Sequence, residues 1–230
     1  MHPSAKFLVP ATLALVLAAC GGTSVPQATE QPTVTVIEGR VTSASGTGTV
    51  SVAELAGVTA PMAADGRFSL TLPQGAALGA RVQGAAQVMS NLQCAGSLSS
   101  SDTSARGYLL ANMQVSDGAA GRSVSAVQGS KTGLLSRSVS GRAWLYVDRD
   151  TRLSGSVDCA KLLNVSQIAT LPVTIDVIAK TGWNVVDLNI GASASIFGQV
   201  SAGGSVVNSA AGTAVSEWRT SEELQAQISF

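Results

Sequence analysis

Short stretches in which apolar and polar residues alternate constrain the fold of this chain more than any other feature. Residues 67–72 read Arg-Phe-Ser-Leu-Thr-Leu, follow the turn signal Asp65-Gly66 and end at Pro73. Alternation of this kind places the apolar side chains on one face of a half-buried β-strand. Similar or more continuously apolar stretches recur at residues 33–41, 50–52, 108–115, 143–147, 152–157, 171–179 and 183–190, and residues 195–200 and 214–219 indicate weaker strands. We therefore predict an all-β protein, antiparallel and sandwich-like.

The amino-acid composition agrees with this fold class. Charged residues make up 12% of the 230 residues and aromatic residues 4%, whereas an average protein has about 25% charged residues. Small and β-branched residues dominate, which favours strands and tight turns over helices. The polar stretch 97–105 predicts a loop between an N-terminal β module, residues 33–96, and a C-terminal β domain, residues 97–230. The run Ser221-Glu222-Glu223-Leu224 either opens a short helix through N-capping or leads into a last strand.

The first residues have the pattern of an export signal. Lys6 is the only charged residue before the apolar stretch 7–17, which is too short to cross a bilayer. The signal closes with Leu17-Ala18-Ala19-Cys20, which resembles the lipobox of bacterial lipoproteins. The resemblance implies that residues 1–19 are removed and that Cys20 carries a thioether-linked lipid. An ordinary export signal that happens to end in cysteine is the alternative.

A lipid on Cys20 implies a protein held at a membrane surface. Each buried methylene contributes about 0.8 kcal/mol, so two acyl chains anchor stably where one is marginal. Residues 20–32 contain two prolines and no periodicity, which predicts a flexible tether. Gly21 and Gly22 follow the cysteine, without the aspartate that retains lipoproteins at an inner membrane. We expect an extracytoplasmic protein, at the outer membrane where the cell has two.

Charge and residue content exclude several classes of function. His2 is the only histidine and leaves with the signal, so the mature chain has no imidazole for triad catalysis or metal binding. The mature chain has 13 Lys and Arg residues against 14 Asp and Glu residues, without the basic excess typical of nucleic-acid binding. We expect no enzyme activity, no cofactor and no nucleic-acid partner. The remaining enzymatic alternative is a hydrolase that pairs a serine with Lys131, Lys161 or Lys180.

Cys94 and Cys159 are the two cysteines left unmodified in the mature chain. In an exported protein such a pair favours one disulfide. Two buried thiols or a reactive pair are the alternatives. A bond between them would close a long loop and stabilise a core that is poor in large side chains.

Two groups of side chains are candidates for ligand binding. Trp144, Tyr146 and Trp183 could line an aromatic pocket for a sugar or another apolar ligand, or they could pack in the core. Asp148 and Asp150 stand two positions apart in a predicted turn. They could share a calcium ion, or they could accept backbone N–H bonds within the turn. Core packing and the turn are the favoured interpretations, and we predict no metal site.

Two motifs in residues 33–75 add a resemblance to a fold family. They read Glu38-Gly39-Arg40-Val41 and Ala64-Asp65-Gly66-Arg67-Phe68-Ser69-Leu70. They resemble carboxypeptidase-regulatory and transthyretin-like β-sandwich modules, which share a Gly-x-Val strand and a later Asp-Gly-x-Phe-x-Leu strand. The resemblance implies a non-catalytic spacer or interaction module. The sequence therefore favours a lipid-anchored envelope protein with a structural or protein-interaction role, and a ligand-binding lipoprotein is the second hypothesis.

Overall fold

The structure is a computed structural model that describes residues 33–118, 121–163, 169–194, 200–212 and 214–229. The predicted signal, Cys20 and the predicted tether lie outside these ranges, as does most of the strand predicted at 195–200. The strands are β1 (Val36–Val41), β2 (Gly48–Ser51), β3 (Thr59–Met62), β4 (Arg67–Thr71), β5 (Gln83–Gly84), β6 (Ser99–Ser100), β7 (Arg106–Leu110), β8 (Asn112–Ser116), β9 (Arg122–Ser125), β10 (Val127–Gly133), β11 (Ser136–Val147), β12 (Thr151–Asp158), β13 (Pro172–Ala179), β14 (Gly182–Ala194), β15 (Val200–Asn208) and β16 (Ser216–Trp218). The helices are α1 (Gly75–Leu78), α2 (Ala160–Leu163) and α3 (Ser221–Ile228), with 3₁₀ helices at Gly79–Arg81 and Ala85–Leu92.

The strands form two curled sheets that pack together, which confirms the predicted all-β, sandwich-like class. The first sheet has the order β16-β1-β4-β3-β2-β8-β9. The second has the order β5-β7-β11-β14-β15-β13-β12-β6, and β10 also pairs with β11. Most neighbouring strands are antiparallel, but β1 runs parallel to β16 and β13 runs parallel to β15. Both parallel pairs join strands that are well separated in the chain, as parallel pairing requires.

The two sheets do not follow the predicted division of the chain at residue 97. The first sheet combines β1 to β4 with strands from residues 112–125 and 216–218. β5 and the 3₁₀ helix Ala85–Leu92 belong instead with the second sheet and its core. The stretch 97–105, predicted as an inter-domain loop, contains β6 at an edge of the second sheet. A polar break in the sequence marks a local change of structure, but packing between distant residues decides which sheet each strand joins.

The first sheet curls until its outer strands β9 and β16 meet. Ser125 and Arg219 exchange two backbone hydrogen bonds of 2.9 Å where these strands end. This contact reduces the unpaired backbone that an open sheet edge would present. Within the sheet, Gly39 on β1 lies opposite Phe68 on β4. A Cβ atom at Gly39 would lie 2.3 Å from the Phe68 ring and 2.6 Å from Trp218 Nε1, so only glycine leaves room for these rings.

Strand β11 is buried on both faces over residues 144–147, within the stretch 143–147 where its sequence is apolar without interruption. Trp144 and Tyr146 point into the core between the two sheets. Leu145 and Val147 point into a second core, inside the curl of the second sheet. Because successive side chains of a strand point to opposite faces, one strand contributes to both cores.

The C-terminal residues form the helix α3 and not a last strand. Thr220 caps the helix: its hydroxyl accepts from the Glu223 N–H, and the Glu223 carboxylate accepts from the Thr220 N–H at 2.8 Å. The same carboxylate accepts from the Thr42 hydroxyl in the loop after β1. Near the other end of the helix, the Gln227 side chain accepts from the Gly129 N–H of β10 at 2.7 Å. The helix therefore ties the first sheet to an edge strand of the second.

Candidate functional site

Cys94 and Cys159 form a disulfide with their Cα atoms 4.2 Å apart, which confirms the predicted bond. Both residues are buried among the side chains of the second core. The bond joins the segment after the 3₁₀ helix Ala85–Leu92 to the end of β12, across a sequence separation of 65 residues. Its position within the core gives it a structural role.

The three aromatic residues considered for a ligand pocket are buried. Trp144, Tyr146 and Trp183 expose 3%, 8% and 1% of their surface. Trp183 meets Tyr146 edge-on at 5.6 Å and donates its Nε1–H to the Pro73 carbonyl at 2.8 Å, while Trp144 stacks on Trp218. The rings pack in the core between the two sheets. Large rings supply core area that the many small side chains cannot.

The two aspartates of the turn between β11 and β12 have separate partners. Asp148 Oδ1 accepts from the Arg106 N–H at 2.8 Å. Asp150 accepts from the Thr181 N–H at 2.8 Å, the Thr181 hydroxyl at 2.9 Å and Lys180 Nζ at 3.0 Å. The Thr181 N–H, the Lys180 ammonium and the Thr181 hydroxyl, in this order, lower the pKa of Asp150 to about 2. Asp150 thus fastens this turn to the one between β13 and β14.

The second sheet carries a polar groove that no sequence motif indicated. On β11, the face that buries Trp144 and Tyr146 continues beyond the first sheet and becomes exposed. Polar side chains of β10, β11 and β14 form the floor there: Gln128, Ser140, Arg142, Asp187 and Asn189. Residues 215–217 and Arg219 stand beside this face as a wall. Floor and wall enclose about 350 Å³.

Two ion pairs determine the electrostatics of the groove. On the floor, Arg142 Nε lies 3.5 Å from Asp187 Oδ1, and Arg142 Nη1 donates to Ser216 Oγ in the wall at 3.1 Å. Arg142 Nη2 and Asp187 Oδ2 have no hydrogen-bond partner among the described residues. In the wall, Arg219 pairs with Glu217. The groove therefore has no net charge but keeps a free charged donor and a free charged acceptor.

Three uncharged side chains extend the floor. Gln128, Ser140 and Asn189 are in register across β10, β11 and β14 and are all exposed. Neighbouring strands are about 4.8 Å apart, so the three groups form a row about 10 Å long. None of these side chains makes a hydrogen bond within the described ranges. In the sequence, each of the three residues has the pattern of an ordinary solvent-facing position in a strand. Only the register between the strands places them in one row.

Comparison with known proteins adds no relative: no family model, no curated protein and no solved structure matches this chain. The lipobox ending at Cys20 and the module resemblance of residues 33–75 stay predictions. Over the ranges that the structure covers, no helix has the length and apolar character needed to cross a membrane. Within the same ranges, no three His, Cys, Asp or Glu side chains come close enough together to bind a metal ion. The groove is therefore interpreted from its own chemistry.

Proposed function

We propose that this protein is a lipid-anchored, non-catalytic interaction protein of the cell envelope, and that the polar groove of its second sheet is its binding site. The point where the predicted tether joins the fold is the observation that carries this proposal. The Val34 N–H donates to the Trp183 carbonyl at 2.8 Å, beside the first residues of β14. The groove residues Asp187 and Asn189 lie further along the same strand.

The groove lies at a distance along β14 from the point where the tether joins the fold. At about 3.3 Å per residue, Asn189 lies about 20 Å from Trp183. A flexible chain of the length of residues 20–32 spans about 20 Å on average. With the tether and β14 pointing the same way, a lipid on Cys20 would thus place the groove about 40 Å from the membrane on average. At that distance a partner in the envelope can reach the groove without contacting the bilayer.

The chemistry of the groove supports binding over catalysis. Its lining contains no lysine or histidine that could take a proton from the Ser140 hydroxyl. Arg142 is held by Asp187 and Ser216, and Arg219 is held by Glu217. Fixed guanidinium groups beside free amides are suited to orienting a ligand through hydrogen bonds.

Photo-crosslinking in living cells tests this role. A photoreactive residue would replace Asn189 in the groove or, as a control, Thr174, which is exposed on the same face of the sheet outside the groove. We expect position 189 to give a discrete adduct, with an envelope protein or with a glycan, that position 174 does not give, and we expect Cys20→Ser to abolish it. Equal adducts at both positions, or no adduct at position 189, would contradict the proposed binding role.

A further inference from the structure

We propose that the groove binds a neutral, hydroxyl-rich glycan, an inference that rests on the proposed binding role of the same groove. Four properties of the groove carry it: balanced charge, a free donor beside a free acceptor, a row of uncharged hydrogen-bonding groups, and a lining that exposes more polar than apolar surface and contains no aromatic ring. Each property either disfavours another class of ligand or favours a neutral glycan.

The balance of charge disfavours ionic ligands. Arg142 and Asp187 on the floor and Arg219 and Glu217 in the wall contribute two positive and two negative charges. A polyanion or a polycation would meet as many repelling groups as attracting ones, which is how interfaces reject a wrong partner. A ligand without net charge meets no such penalty.

The two unpaired atoms of the Arg142–Asp187 ion pair on the floor, Arg142 Nη2 and Asp187 Oδ2, are suited to binding hydroxyl groups. Arg142 Nη2 can only donate, and Asp187 Oδ2, when ionised, can only accept. A sugar hydroxyl does both, so neighbouring hydroxyls of one ring can accept from the guanidinium and donate to the carboxylate. Hydrogen bonds to charged groups are the stronger ones, and they make this pair the centre of the site.

The row formed by Gln128, Ser140 and Asn189 continues the site along the sheet. A carboxamide and a hydroxyl each offer both donor and acceptor capacity, so the row can follow successive hydroxyls of an extended chain. At the rim, Val215 is 64% exposed and offers an apolar contact to the C–H face of a sugar ring. The volume of about 350 Å³ is at the small end for ligand pockets and suits a short segment of the chain.

The lining also disfavours a protein as the ligand. The buried centre of a protein interface is apolar and enriched in aromatic residues. Val215 is the one large apolar side chain of this lining that is exposed, and the lining contains no aromatic residue. A lining that exposes more polar than apolar surface, without an aromatic ring, offers no such centre.

Calorimetric titration of the full chain, purified in detergent, tests the inference. The ligands are the neutral hexamers of α-1,4-glucose, β-1,4-glucose and β-1,4-N-acetylglucosamine, with a sulfated hexamer as the charged comparison. We expect at least one neutral hexamer to bind with a Kd of about 1 mM or tighter. Asn189→Ala and Gln128→Ala should each weaken binding about 2-fold to 10-fold, because each removes hydrogen bonds to the ligand. Thr174→Ala, on the same face outside the groove, should leave Kd unchanged.

The variants remove exposed side chains that make no hydrogen bonds within the described part of the chain, so each should fold. The inference is overturned if no neutral hexamer binds, if the sulfated hexamer binds more tightly than the neutral ones, or if Thr174→Ala weakens binding as much as Asn189→Ala. A specific protein adduct at position 189, with no hexamer bound, would reject the glycan and keep the proposed interaction role. If position 189 gives no adduct and no hexamer binds, the glycan inference and the proposed binding role are both rejected.

Discussion

Trp144 and Trp218 stack with their ring centroids 5.3 Å apart and their planes 12° apart, and each ring comes from a different sheet. Trp144 lies on β11 of the second sheet and Trp218 on β16 of the first. Phe68 meets Trp218 edge-on from β4, with ring centroids 6.0 Å apart. The three rings therefore connect β4 and β16 of the first sheet with β11 of the second.

Removing the stack should weaken the whole fold. We expect Trp218→Ala to lower the free energy of unfolding by about 3–5 kcal/mol, the range for deleting a large buried ring. The exposed Val215 lies three residues earlier, and Val215→Ala should change stability by about 0.5 kcal/mol or less. Chemical denaturation of both variants checks this. Similar losses for the two would show that the stack does not hold the sheets together.

The disulfide should contribute a comparable amount. Chain entropy for a loop of this length gives roughly 4 kcal/mol, and measured losses for native disulfides are about 2–5 kcal/mol. Cys94→Ser and Cys159→Ser should destabilise the protein equally, since either one removes the same bond. Urea unfolding measures the loss. Alkylation of protein isolated without reductant should find no reactive thiol at either position, and labelling at both would refute the bond in the native protein.

The lipid anchor should depend on one residue. We expect Cys20→Ser to abolish the incorporation of labelled fatty acid and cleavage after Ala19, because the thiol is the group that accepts the lipid. The double variant Cys94→Ser, Cys159→Ser is the matched control, and its labelling should be unchanged. Labelling and N-terminal sequencing are the readouts. A Cys20→Ser protein that still takes up fatty acid would disprove the lipobox interpretation.

Stability should fall at acid pH partly through Asp150. The pKa of this carboxyl is about 2 in the folded protein, below the value of about 3.9 for an unfolded chain. Ionised Asp150 therefore stabilises the fold above about pH 4, and this contribution is lost as the pH falls from about 4 towards 2. The Tm difference between wild type and Asp150→Asn should be constant at neutral pH and should shrink over that interval.

A second variant separates the contacts of Asp150. Thr181→Ala removes a hydroxyl but keeps the backbone N–H, the largest cause of the lowered pKa. It should retain most of the pH dependence. A Tm that rises on addition of calcium, and does so only while Asp150 is present, would instead support calcium binding at this turn.

Many local features could be predicted from the sequence because they depend on neighbouring residues. Alternation from Arg67 to Leu72 identified β4, and the apolar stretches 171–179 and 183–190 correspond to β13 and to part of β14. The apolar run 143–147 contains the part of β11, residues 144–147, that is buried on both faces. The export pattern favoured the Cys94–Cys159 bond, because an exported chain would enter a compartment that permits disulfides. With Cys20 expected to carry the lipid, these were the two cysteines left to pair.

The partners of each strand were decided only by the tertiary structure. The sequence before Trp218 indicated a weak strand, yet that strand runs parallel to β1 and places its ring in the core. The groove depends on the register that aligns Gln128, Ser140 and Asn189, and on β16 standing beside them. Strand periodicity specifies which side of a strand is apolar, and local sequence contains no information on which distant strand will cover that side. The pairing of distant strands follows from the packing of the whole chain, because the space that a large side chain such as Trp144 fills is formed only when both sheets are assembled.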